Sequence, residues 1–186
     1  MNLKEIIQDF ILEISKGNIE IYNEFSVQFE LAIFLRELLS SHYKVQLERN
    51  IEFFQLKKSQ FLKKEMDIVI FDQQFNEKYC IELKYPTNGQ YPEQMFKICE
   101  YVAFIEQLVE SGFKKSFSLV FAQKRPFYME KGGAGIYEMF RLRREIEGII
   151  TKPTGKKDKV IEIQGKYKFN WKTIYKELKY FLVQVG

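Results

Sequence analysis

Two short runs, residues 66–71 (MDIVIF) and 79–84 (YCIELK), flank a polar stretch at 72–78, and Tyr85-Pro86-Thr87-Asn88-Gly89 follows at once. Runs of this length between turn residues read as strands. They constrain the fold more than any other feature, because side chains on a strand alternate between its faces. Cys80, Glu82 and Lys84 share one face, and Tyr79, Ile81 and Leu83 share the other. If the runs pair as a hairpin with its turn near residues 74–76, Asp67 falls opposite Lys84. Glu82 is then its diagonal neighbour, at about 7–8 Å between Cα atoms. Three charged side chains are thereby expected to converge at one end of an otherwise apolar sheet.

The rest of the chain builds around that pair. Residues 2–15 have helical apolar spacing and stop near Gly17. A second helix is expected over 23–39, with apolar residues around much of its circumference, so burial is expected for most of it. Residues 43–54 read as a strand. A long helix opens after Pro92 and closes before Gly112, and residues 117–123 form an apolar strand. Beyond that the pattern weakens: a loop at 132–135, a short helix to about Arg144, a strand near 160–163, and a helix or strand from Lys172 onward. The fold class is α/β, a mixed central sheet flanked by helices in the order helix, three strands, helix, strand.

Composition excludes several classes. The chain has 186 residues, 46% hydrophobic and 16% aromatic, which suits one folded domain spanning 1–186 and argues against disorder. No apolar run approaches the roughly 18 residues of a membrane span. The first residues carry acids among apolar positions, as an amphipathic helix does and a signal peptide does not. Two cysteines, Cys80 and Cys99, provide no disulfide framework, so a reducing cytoplasm is expected. With one histidine, His42, and no Cys-x-x-Cys, a zinc site is not expected.

The net charge of +4 is uneven: residues 151–186 hold nine lysines against three acids. This Lys-rich extension, with Lys156 and Lys157 in an exposed loop, suits either a solvated face or contact with a polyanion. Gly132-Gly133-Ala134-Gly135 is no phosphate loop, since no Gly-Lys-Ser/Thr follows.

Two neighbouring carboxylates repel unless a cation lies between them or one keeps its proton. Oxygen ligands without sulfur or imidazole suit Mg²⁺ or Mn²⁺. An ion held by Asp67 and Glu82 would lower the pKa of its water and stabilise charge on a phosphate. The neighbouring Lys84 would position water or neutralise the oxyanion. Such a set serves hydrolysis of a phosphodiester. The competing reading is a solvated surface ion pair.

Asp67, fourteen residues, then Glu82-Leu83-Lys84 resembles the signature of the PD-(D/E)xK nucleases, the restriction-endonuclease-like fold. The resemblance covers roughly residues 20–124 and includes the α-β-β-β-α-β order of the core. Met66 stands where that pattern has proline. The resemblance implies DNA as partner and substrate, with RNA left open, and a metal bound by Asp67, Glu82 and the Leu83 carbonyl. Lys84 is implied as the catalytic lysine. A further acid comes from the preceding helix in such proteins. Glu30, set among Val27, Ile33 and Phe34, is expected to fill that role, with Glu24 as the fallback. Lys64, Lys124 and Arg125 are candidates for phosphate contact alongside Lys156 and Lys157, or else simply solvated strand ends. Gln94, Lys97 and Tyr101 could face the scissile strand. A homodimer is a natural way to cut two strands. The rivals are a nucleic-acid-binding module that lost the chemistry and a protein–protein adaptor.

Overall fold

The computed structural model describes residues 1–129, 133–141, 145–155 and 159–186. Helices α1 (Leu3–Lys16) and α2 (Glu24–Leu38) precede three antiparallel strands, β1 (Tyr43–Asn50), β2 (Glu65–Asp72) and β3 (Lys78–Lys84). Helix α3 (Tyr91–Glu110) then crosses to β4 (Lys115–Ala122), which runs parallel to β3. A short helix α4 (Ile136–Arg141), the hairpin β5 (Glu145–Thr151) and β6 (Val160–Lys168), and the hairpin β7 (Lys172–Tyr175) and β8 (Leu178–Val185) follow. The main sheet has six strands in the order β1-β2-β3-β4-β8-β7, and β5-β6 form a separate pair. No helix among the described residues is long and apolar enough to cross a membrane.

Strand alternation sorts the core. Ile68, Ile70, Ile81, Leu83, Phe117 and Leu119 face α1 and α2, where Ile7, Phe10, Leu31 and Leu35 pack on them. On the opposite face Val69, Phe71 and Cys80 meet Phe104 and Leu108 of α3. The other side of α3 is covered by Ile146, Ile150, Ile161 and Ile163 of the β5-β6 hairpin. This explains why α3 is buried nearly all round. The hairpin is fastened by the buried Glu106 of α3, whose carboxylate accepts the Gln164 and Gly165 N–H groups and the Tyr167 hydroxyl.

Several expectations need correction. The first strand stops at Asn50, whose side chain accepts the Glu52 N–H at 3.0 Å and starts a 3₁₀ turn over Ile51–Phe54. Helix α2 starts at a capping box between Asn23 and Ser26. It is not largely buried: Phe25, Phe29 and Ile33 form an exposed apolar ridge opposite the packed face of Val27, Leu31 and Leu35. Of the two forms left open from Lys172 onward, the strand is found, as the β7-β8 hairpin, whereas β5 went unanticipated. Helix α4 ends at Arg141, and the expected end near Arg144 lies outside the described residues.

Candidate active site

The pairing Ile68↔Ile81, Val69↔Cys80 continues to place Asp67 opposite Glu82, not opposite Lys84. The expected register was off by two residues. A slip of two keeps every side chain on its face, so the convergence of Asp67, Glu82 and Lys84 on the α3 side is unaffected.

Asp67 is held from several directions. Its Oδ2 accepts the Leu83 N–H at 2.7 Å, and its own N–H donates to Glu82 Oε1 at 3.3 Å. Its carbonyl accepts from Gln28 Nε2 at 2.8 Å, and the same Gln28 amide donates to Glu48. Glu48 leaves the β1-β2 ladder here and adopts the left-handed conformation, φ 49°. Gln28, buried on α2, therefore enters at the place where the ladder opens beside Asp67. The N–H and C=O of one strand residue lie along the same edge, so the Leu83 carbonyl faces the Asp67 side as its N–H does.

Glu82 is fully buried. Burial, and then the Asp67 carboxylate, push its carboxyl well above the usual carboxylate range, against the pull of Lys63. Its Oε1 also accepts the Cys80 thiol at 3.5 Å. Burial raises that thiol, and the Glu82 and Asp67 charges raise it further. Cys80 is therefore a packed hydrogen-bond donor and not a nucleophile.

The cation between the carboxylates is Lys63. Its Nζ donates to Asp67 Oδ1 at 2.9 Å and to Glu82 Oε2, and lies 4.3 Å from the centre of the Tyr101 ring. Burial alone would lower this ammonium's pKa; the Glu82 and then the Asp67 carboxylate overturn that and leave it raised. The loop carrying Lys63 is pinned by the Leu62 N–H on Gln107 Oε1 and by the Ile51 N–H on the Lys64 carbonyl.

Lys84 points to the mouth of the site. Its Nζ donates to Glu24 Oε2 at 2.8 Å, and the Tyr85 N–H donates to the same oxygen at 3.0 Å. The Tyr101 ring, 5.9 Å from Lys84 Nζ, lies beside both ammoniums. Burial raises the Tyr101 phenol against the pull of the Lys63 ammonium, and the surrounding carboxylates raise it further, so it stays neutral.

Of the two helix acids, Glu24 reaches the site. Glu30 lies about 160° around the helix from Gln28, which points at Asp67. Lys64, Lys124 and Arg125 are exposed. The strand directions put them at the same end of the sheet as Lys84, before β2 and after β4. Lys156 and Lys157 lie outside the described residues. Much of the Lys-rich segment is neutralised internally: Lys152 pairs with Glu93, Lys159 with Glu100, Lys166 with Glu147 and Lys168 with Glu145.

Lys63 and Gln28 were not anticipated. Gln28 had a signal in the sequence, a polar residue one turn after Glu24 among apolar ones. Lys63 had none, because its position depends on how an irregular loop folds back. Among the described residues no three His, Cys, Asp or Glu side chains form a ready-made metal cage. Two carboxylates beside a backbone carbonyl, drawn around one cationic group, are nevertheless a donor set for a hard ion that keeps most of its waters.

Comparison of the chain with protein-family models, with curated proteins and with solved structures returns no match.

Proposed function

We propose that the chain is a metal-dependent nuclease that hydrolyses DNA phosphodiester bonds with a restriction-endonuclease-like core. One observation carries the reading: Asp67 and the buried Glu82 oppose each other at the end of adjacent strands, gathered around a cation, with Lys84 two residues on and on the same face. The order from α2 to β4, helix, three strands, helix, strand, supports it.

Asp67, Glu82 and the Leu83 carbonyl would hold Mg²⁺ or Mn²⁺. When bound, such an ion supplies a water of lowered pKa and positive charge against the phosphate. Lys63, whose side chain is 22% exposed, would have to yield its place between the carboxylates. Lys84 sets its ammonium against the attacking water or the phosphate oxygens, and Glu24 holds that ammonium in position. Glu24 thus takes the place expected for Glu30. Lys64, Lys124 and Arg125 would hold the flanking backbone without reading sequence.

A second reading, a nucleic-acid-binding module without chemistry, is favoured by Lys63, since a protein can keep a lysine there as its permanent counter-ion. Cleavage of plasmid and of single-stranded DNA with Mg²⁺, Mn²⁺ or EDTA separates the two. Metal-dependent cutting, lost in Glu82→Gln and Lys84→Ala, is the expected result. DNA binding that ignores EDTA, with no cutting, would replace the nuclease by the binding module.

A further inference from the structure

A cleft opens beside Lys84, between the start of α2 and the loop joining β3 to α3. Phe25, Lys84, Thr87, Asn88 and Gln94 line it. Four buried side-chain polar atoms among the described residues lack a hydrogen-bond partner, and the Gln94 Oε1 atom is one of them. Gln94 is only 9% exposed. Its Nε2 donates to Asn88 Oδ1 at 3.2 Å, and that oxygen also takes the Gln90 N–H at 3.4 Å. The orientation of the Gln94 amide follows: turned over, it would set oxygen against oxygen. Its Oε1 is left without a donor and is itself closed to solvent, and an unpaired buried acceptor is a cost that a ligand reaching it removes.

The opposite wall is aromatic. Phe25 is 67% exposed, its ring stacks on Phe29 with 6.3 Å between centroids, and Tyr22 beside it is 66% exposed. The cleft thus offers a flat apolar face, a donor in the exposed Asn88 amide, an acceptor in Gln94 that is closed inside its wall, and at its mouth the Lys84 ammonium beside Glu24. A ligand that answers all four has a planar ring, a polar edge with donor and acceptor side by side, and an attached anion.

We propose that this cleft receives one unstacked nucleobase of a DNA strand, the ring on Phe25, its edge on Gln94 and Asn88, and its phosphate toward Lys84. The assignment rests on the nuclease reading for the direction of the strand, and it names the substrate: single-stranded DNA, or a duplex at a frayed or mismatched position. In an intact duplex the base is stacked and its pairing edge is taken, so the cleft cannot be filled without the cost of unstacking. Stacking on one aromatic ring favours any unstacked base, whatever its sequence.

The test is fluorescence anisotropy of a labelled single-stranded oligonucleotide and of its duplex on the full chain in EDTA, with wild type, Phe25→Ala, Gln94→Leu and the control Phe53→Ala. Phe53 is an exposed aromatic that lines no part of the cleft. Circular dichroism establishes that each variant is folded. The expected result is tighter binding of the single strand, weakened about tenfold by Phe25→Ala, weakened also by Gln94→Leu, and unchanged by Phe53→Ala. Equal affinity for both forms, or no loss in Phe25→Ala, overturns the proposal. An altered sedimentation of Phe25→Ala with unchanged oligonucleotide affinity overturns it in favour of a protein contact on the ridge. The two readings fail differently. Single-strand binding through Phe25 without metal-dependent cutting removes the nuclease and keeps the cleft. Equal cutting of single and double strands, unchanged in Phe25→Ala, keeps the nuclease and removes the cleft.

Discussion

Lys63 Nζ sits between the carboxylates of Asp67 and Glu82, 2.9 Å from Asp67 Oδ1 and in direct contact with Glu82 Oε2. Without that ammonium two acids face each other, one of them fully buried. Lys63 is therefore the cation that neutralises this pair, and the group that a metal would have to displace.

Replacing Lys63 by methionine keeps the packing on Tyr101 and removes the charge. In EDTA the variant is expected to lose about 3 kcal/mol of stability, the usual cost of removing one partner from a buried pair. Mn²⁺ should recover much of the loss by binding only the folded state. The wild type should gain less, because there the ion competes with an ammonium. Thermal melts of both proteins with and without Mn²⁺ decide it; a variant as stable as wild type in EDTA would show that the carboxylates do not need a cation.

The two acids of α2 should separate by activity. Glu24 orients the Lys84 ammonium at 2.8 Å. Glu24→Gln is expected to slow cleavage on the order of a hundredfold. Glu30→Gln should cut at the wild-type rate. Rates on one substrate at saturating Mg²⁺ provide the comparison, and the reverse pattern would restore Glu30 to the site.

Acid stability should depend on Glu77, at the far end of the same hairpin. Lys114 in the first place, then the Tyr43 hydroxyl, hold its carboxyl down at about 2 against the effect of burial. The folded state binds this proton less readily than the unfolded chain, where the pKa is about 4.3. The contribution is complete above that value and is lost as pH falls toward about 2. Glu77→Gln should lower the melting temperature near neutrality and flatten its fall between those limits. A variant whose melting curve stays parallel to wild type through that range would contradict the assignment.

Period-two alternation is why so much of the site was legible. The faces of Asp67, Glu82 and Lys84 follow from residue spacing alone, and a register error of two residues leaves them in place. The helix is harder to read, because α2 is apolar on two sides and only packing decides which side is core. Val27, Leu31 and Leu35 meet the sheet, while Phe25 and Phe29 remain outside. That choice also brings Glu24 and Gln28 to the strand ends and turns Glu30 away. Lys63 was beyond reach, since nothing in the pattern around it specifies the path of its loop.

The β5-β6 hairpin should come away before the main sheet does, and Glu106 is where it is fastened. A carboxylate accepts the Gln164 N–H at 3.0 Å, the Gly165 N–H at 2.7 Å and the Tyr167 hydroxyl at 2.9 Å. Glu106→Ala leaves these donors without their acceptor under a helix that packs on both sides, at a cost of about 3 kcal/mol. Gly165 belongs to the same arrangement: a Cβ there would run into the Tyr167 hydroxyl and push it off Glu106. Gly165→Ala should therefore act in the same direction as Glu106→Ala, and the two should be less than additive when combined. Hydrogen exchange read by mass spectrometry locates the effect. In both variants amides of β5 and β6 should lose protection while those of β2 and β3 keep theirs. Uniform loss across both sheets would mean that Glu106 supports the whole core and not the hairpin in particular.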